Sequence, residues 1–141
     1  MTFSESIRTC LSKWLTWQGR AARSEYWYFV LFNMLCLVAA SILDKVLGTS
    51  FKFTNPATGE EQSLFYGWLY LISALALLLP NLAVLVRRLH DTNRSGWWYW
   101  IALVPLIGGI LLLVWFCSRG TQGNNDYGAD PLGGDLGSTF G

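Results

Sequence analysis

The sequence predicts an all-α, polytopic membrane protein: three transmembrane helices preceded by an amphipathic interfacial helix. Three observations lead there. Three apolar runs, residues 26–43, 64–86 and 97–117, contain no charged side chain. The third has 21 residues, which as a helix at ~1.5 Å per residue would span about 31 Å, close to the ~30 Å hydrocarbon core of a bilayer. The chain is 52% hydrophobic and 13% charged, roughly half the charged fraction of a soluble domain. Finally, most of the eight Trp and six Tyr stand at the edges of those runs, where their rings favour the headgroup level. Trp68 and Tyr70 also suit aromatic core packing.

Before the first run, residues 3–17 predict an amphipathic helix. Phe3, Ile7, Leu11, Trp14 and Leu15 repeat at helical spacing, with Cys10 on the same face. Ser4, Glu5, Arg8, Ser12, Lys13 and Thr16 lie largely opposite. Thr2 followed by Glu5 is a capping-box pattern. Such a segment lies in the interface plane or packs on the bundle. Gly19 is expected to end it. No cleavable signal peptide is visible, so the first span is expected to serve as its own targeting signal.

That span contains Asn33 and Ser41 and closes at Asp44–Lys45. Residues 48–63 are expected as a polar loop with Asn-Pro and Thr-Gly turn signals, a short hairpin there being the weaker expectation. The second span carries Pro80–Asn81, which bends a helix and frees a carbonyl. The third contains Pro105 and Gly108–Gly109. A kinked single helix is the simpler expectation, and a helical hairpin returning to its own side is the other. Residues 1–131 form a single membrane domain, and residues 132–141 a flexible glycine-rich tail. Asn33, Ser41, Ser73, Asn81 and Gly108–Gly109 are candidates for interhelix contacts, since helices in lipid associate through close packing and a few polar bonds.

Basic residues orient the chain. With three spans, Arg8, Lys13, Arg20, Arg23, Arg87, Arg88 and Arg94 share one side, and Lys45, Lys52 and Arg119 the other. The positive-inside rule then makes the N-terminus and the 87–96 loop cytoplasmic. Three full spans put the C-terminus outside, whereas the hairpin returns it to the cytoplasm.

Two clusters stand out against the apolar background: Gly19-Arg20-Ala21-Ala22-Arg23-Ser24-Glu25-Tyr26-Trp27, and Arg87-Arg88-Leu89-His90-Asp91-Thr92-Asn93-Arg94-Ser95-Gly96-Trp97-Trp98. A third motif runs GTQGNNDYGADP from Gly120 to Pro131. In that order, over roughly residues 3–131, these motifs resemble domain-of-unknown-function family 805, small bacterial inner-membrane proteins. The resemblance implies a multi-span inner-membrane protein with no established activity.

The candidate binding residues are Arg20, Arg23, Glu25, Arg87, Arg88, His90, Asp91 and Trp97. Arginines at this level bind lipid phosphate, pair with acids, or set topology. Pairs such as Glu25 with Arg88, and Asp91 with Arg20 or Arg23, would fix helix ends bidentately. His90 is the lone histidine and a weak candidate for an acid or base, since adjacent side chains on a helix diverge by about 100° and Asp91 is poorly placed to orient it. A single His is a weak metal site. Cys10, Cys36 and Cys117 lack metal spacing and read as small apolar residues. The tail's Asn124, Asp126, Gly128 and Asp130 lack the central glycine and closing glutamate of a calcium loop. No cofactor is expected. A net charge of +1 excludes a general attraction to nucleic acid. The expected partners are anionic lipid headgroups, a membrane protein or a second copy of the chain. A contact protein is the leading expectation, and an enzyme acting on a phosphate-bearing lipid through His90 is the alternative. A transporter would require an oligomer.

Overall fold

A computed structural model describes residues 2–133, so most of the expected glycine-rich tail lies outside the described residues. The elements are α1 (Phe3–Ser12), α2 (Arg23–Leu47), β1 (Ser50–Thr54), β2 (Glu61–Gly67), α3 (Trp68–Asp91), a 3₁₀ helix (Gly96–Leu103) and α4 (Ile107–Cys117). Helices α2 and α3 are each long and apolar enough to cross a membrane. The chain divides into two compact units, one of Met1–Phe29 with Pro80–Gly141 and the other Val30–Leu79.

In the first unit, α1 opens as its sequence predicts. The Thr2 hydroxyl accepts from the Glu5 N–H at 3.3 Å, and the Glu5 carboxylate accepts from the Thr2 N–H at 2.8 Å. The helix stops at Ser12, short of the expected 17. The Ser12 hydroxyl donates back to the Thr9 carbonyl at 2.9 Å, a local bond that competes with helix propagation. Of its expected apolar face, Cys10 is fully buried, as is Ser6 one turn before it, while Phe3, Leu11, Trp14 and Leu15 are exposed. Small residues allow close approach of elements in lipid, and the larger apolar side chains remain outside.

The third apolar run is not a continuous span. It forms eight residues of 3₁₀ helix and eleven of α-helix, joined through Val104–Leu106, where Leu106 adopts a φ of +64°. The Trp98 and Trp115 rings meet at 5.8 Å between centroids, so the run folds back and brings its two ends together. Gly108 makes this turn feasible: a Cβ there would stand 1.6 Å from the Ile101 carbonyl oxygen. Pro105 and the glycines mark a reversal, not a kink. The core of this unit is Leu89, Leu112 and Phe116, with Tyr26, Trp27, Leu85, Ile101 and Trp115 against it.

In the second unit, the expected loop is an antiparallel hairpin, with Thr54 opposite Glu61, Phe53 opposite Gln62 and Lys52 opposite Ser63. The all-α expectation is corrected by this pair. Its turn uses the anticipated signals. The Asn55 side chain accepts from the Ala57 N–H at 2.9 Å, and Gly59 takes a φ of +71°, a conformation cheap only for glycine. Residues 64–67, assigned by apolarity to the second span, belong to β2. The helix begins at Trp68 because Asp44 caps it: its carboxylate accepts from the Leu69 and Tyr70 N–H groups, both at 3.0 Å, and from the Thr49 hydroxyl at 2.5 Å. These amides have no intrahelical acceptor. Along α2, Leu31, Met34, Leu35, Val38 and Ile42 are exposed, a surface suited to hydrocarbon and not to water.

Candidate functional site

The charged residues gather within the first unit, and helix phase decides their partners. Arg87 and Arg88 are neighbours on the last turns of α3, so their side chains leave the helix about 100° apart. Arg87 meets Glu25, on the first turn of α2, at 2.5 Å. Arg88 turns toward Asp91, three residues on. Asp91 is shared: Arg20, from the segment before α2, reaches it at 3.0 Å. All three arginines and both carboxylates are buried. The expected pairing of Asp91 with Arg20 is present. Glu25 pairs with Arg87 and not with Arg88, and Arg23 is not an ion-pair partner of Asp91.

The guanidinium groups of Arg20 and Arg88 also satisfy backbone carbonyls. Arg88 donates to Phe116 at 3.2 Å, to Ala21 at 3.3 Å and to the Ser118 carbonyl. A cation there meets the carbonyls that the end of α4 leaves unpaired. Trp27 Nε1 donates to the Phe116 carbonyl at 3.2 Å, and Arg23, itself exposed, donates to the Cys117 carbonyl at 3.1 Å. Arg20 donates to the Thr121 carbonyl at 2.5 Å and to that of Gly123 at 2.6 Å. The Thr121 N–H returns a bond to the Asp91 carbonyl at 2.8 Å. The segment after α4 is thus tied to the end of α3 and to Arg20. Gly120 permits the closest approach, because a Cβ there would lie 2.1 Å from Asp91 Oδ2.

His90 sits at the edge of this lattice. Its Nδ1 is 3.0 Å from the Gly19 carbonyl oxygen, and its ring stacks on Tyr127 at 4.1 Å and 4°. Asn125 donates to the His90 carbonyl at 2.8 Å. Asp91 is engaged by arginines and does not orient the imidazole. Trp97 is strongly exposed and stands apart from the ion pairs. Arg94 lies over the Trp115 ring at 4.4 Å, a cation–π contact.

Several residues of the site were not anticipated. Cys10 is fully buried, its thiol 3.7 Å from Glu25 Oε1 and 4.0 Å from Arg87. Burial first, and the Glu25 charge second, push it up to about 12. Tyr127 and the carbonyls of residues 121 and 123 belong to the third motif, whose link to the arginines no spacing rule reveals. Asp130 closes that motif by accepting from the Gly123 and Leu132 N–H groups, both at 3.0 Å, which hold its carboxyl below the usual range. Chemically, the lattice is a lock. Three guanidinium groups meet two carboxylates, and the further donors of Arg20 and Arg88 face carbonyls, so Arg20 and Arg88 are committed within the protein.

The chain matches the family described as "Protein of unknown function (DUF805)" over residues 14–129. It is 40% identical to the inner membrane protein YhaH of Escherichia coli (strain K12) over 121 residues, which cover 86% of this chain and 91% of that protein. It is also 40% identical to the inner membrane protein YhaI of the same strain, covering 86% and 90% of the two chains. The uncharacterized protein YiiR of that strain is 26% identical over 146 residues. No solved structure matches. The chain belongs to the DUF805 family and is an inner-membrane protein of the kind found in bacteria.

Proposed function

We propose that this DUF805 member is a non-catalytic, two-span inner-membrane protein that contacts anionic lipid headgroups through its exposed cations. The observation that carries this is the internal commitment of Arg20, Arg87 and Arg88. Headgroup contact then falls to Arg8, Lys13, Arg23 and Arg119, all exposed, beside exposed Trp14 and Trp17. Each cation near an anionic leaflet contributes about 1 kcal/mol. Replacing all four with Gln in the full chain should strip phosphatidylglycerol and cardiolipin from the purified protein, as read by native mass spectrometry. Undiminished retention would refute the proposal.

In this arrangement α2 and α3 cross the bilayer, and the third apolar run enters and leaves on one side. Its two arms, of eight and eleven residues, each rise about 16 Å, roughly half the hydrocarbon thickness. Arg119 then joins the cytoplasmic set, leaving Lys45 and Lys52 on the other side, a stronger bias than three full spans give. A cytoplasm-only fluorescent reporter fused at the C-terminus should fluoresce, and alkaline phosphatase inserted in the 55–60 turn should be active. The opposite pair of results would invert the topology. An enzyme using His90 on a phosphate-bearing lipid is less well supported, because the arginines nearest His90 already have partners. Loss of a lipid-modifying activity in His90→Ala would restore it.

A further inference from the structure

A cleft of ≈ 460 Å³ lies beside the lattice, lined by Trp17, Leu82, Val86, His90, Trp97 and Trp100 among others. Leu82, Val86 and His90 are spaced by four and so form one stripe of α3. The floor is apolar for two turns, about 12 Å, and ends on an imidazole. Gly96 lets the 3₁₀ helix close the wall, since a Cβ there would stand 2.9 Å from Val86 Cγ1.

The imidazole is held in one orientation. A carbonyl can only accept, so the Nδ1 that faces the Gly19 oxygen carries the proton. Tyr127 covers one ring face. Nε2 is left with an in-plane lone pair and no partner among the described residues. Ser95 also lines the cleft. Its oxygen accepts from the Trp97 N–H at 3.4 Å, and its own hydrogen has no acceptor among the described residues. The cleft thus offers an uncharged acceptor and an uncharged donor at one end and hydrocarbon along the rest. No charged side chain lines it.

We infer that this cleft binds a neutral, single-chain glyceride. A glycerol hydroxyl donates to His90 Nε2 and accepts from Ser95, and the acyl chain lies along Val86 and Leu82. The complementarity is to a hydroxyl head and not to a phosphate, which would meet a lone pair without a cation. The surrounding solvent is a bilayer, so the apolar walls select a lipid over a water-soluble alcohol.

The test uses the full chain in detergent with a monoacylglycerol carrying a diazirine in its acyl chain, and the same probe with both hydroxyls methylated. After illumination, labelled peptides are mapped by mass spectrometry. The hydroxyl probe should label residues 82–86 and 96–100 about fivefold better than its ether, the ratio expected for one ordinary hydrogen bond. His90→Phe keeps an aromatic ring for Tyr127 but removes the acceptor, and should bring the ratio to about one. Leu82→Trp fills the deep end and should depress labelling by both probes. Equal labelling by the two probes in the unaltered protein would overturn the inference, as would labels spread evenly over Leu71–Leu79 and undiminished in Leu82→Trp. The probes are uncharged, so loss of the anionic-lipid contacts proposed above would leave this result unchanged.

Discussion

Two buried carboxylates show two ways of keeping a negative charge out of water. Asp91, in the unit of Met1–Phe29 and Pro80–Gly141, lies between two guanidinium groups, Arg20 and Arg88. Asp44, in the unit of Val30–Leu79, pairs with no cation among the described residues. Two backbone N–H groups at the start of α3 and the Thr49 hydroxyl meet it instead. In both places a glycine lets the chain approach: Gly120 beside Asp91 and Gly67 beside Asp44. The difference lies in what each carboxylate fastens. Asp91 with its arginines joins four segments, and the arginines spend their remaining donors on carbonyls of α4 and of the segment after it. Asp44 fastens one helix end, to which the α3 dipole already draws a negative charge.

The largest expected effect follows from that inequality. Breaking a buried pair costs about 3–5 kcal/mol where it leaves a charge uncompensated. Without Arg88, Asp91 keeps Arg20, so the cost of Arg88→Ala lies toward the lower end on this account. Arg88→Ala also strips donors from the carbonyls of Phe116, Ala21 and Ser118. It should be more destabilising than any single change at Asp44, read as the unfolding midpoint in detergent. The Arg88→Ala/Asp91→Ala double variant should lose less than the sum of the two single variants, because the pair is coupled. Strict additivity would mean that Arg88 acts through the carbonyls alone.

The two regions also differ in how far the sequence revealed them. Charges that pair with charges must appear as charged residues, so Arg20, Glu25, Arg87, Arg88 and Asp91 were visible as two motifs. Which arginine meets Glu25 was not visible, because one residue of helix phase decides between Arg87 and Arg88. A carboxylate that pairs with backbone leaves no second residue to find. Asp44 read as the end of a span, and its acceptance of amides 25 and 26 residues away depends on a hairpin that closes the distance. The Asn-Pro and Thr-Gly turn signals pointed to that hairpin as the weaker of two expectations, and they fix a turn without fixing the strand register that follows. The reversal at Leu106 was legible only as the second of two expectations, the helical hairpin beside the kinked single helix. Apolarity is the same for a span and for a run that folds back, and the approach of Gly108 to the Ile101 backbone is a contact between two backbones.

Asp44→Ala should fall below Arg88→Ala. Two orphaned amides at a helix start correspond to the loss of a cap, about 1–2 kcal/mol. Asp44→Asn should retain part of this, since an amide oxygen still accepts. If Asp44→Ala matched Arg88→Ala, the carboxylate would be holding more than the first turn of α3. The glycines test the same contrast. Gly67→Ala would place a Cβ 2.6 Å from the Thr49 carbonyl oxygen as well as against the Asp44 side chain. Overpacking of this kind costs about 1–3 kcal/mol. Gly120→Ala meets the Asp91 side chain, which the arginines prevent from moving aside. Both should destabilise, and Gly120→Ala should lose its effect in an Asp91→Ala background.

The smallest effect concerns the thiol that packs on the Glu25–Arg87 pair. Cys10 is held up to about 12 by burial and by Glu25, from a usual value of 9.0. Below pH 9 the thiol is neutral in both folded and unfolded chains and contributes no pH dependence. As pH rises from 9 toward 12 the unfolded chain gives up the proton first, so the folded state loses stability across that window. Near pH 8 a maleimide should modify exposed Cys117 and leave Cys10 untouched until the protein is denatured. Cys10→Ser should then flatten the alkaline limb of the stability profile without changing the neutral region much. Rapid modification of Cys10 in the folded protein would mean that α1 leaves the Glu25–Arg87 pair open to solvent, and the lattice would be less closed than the Asp44 clasp.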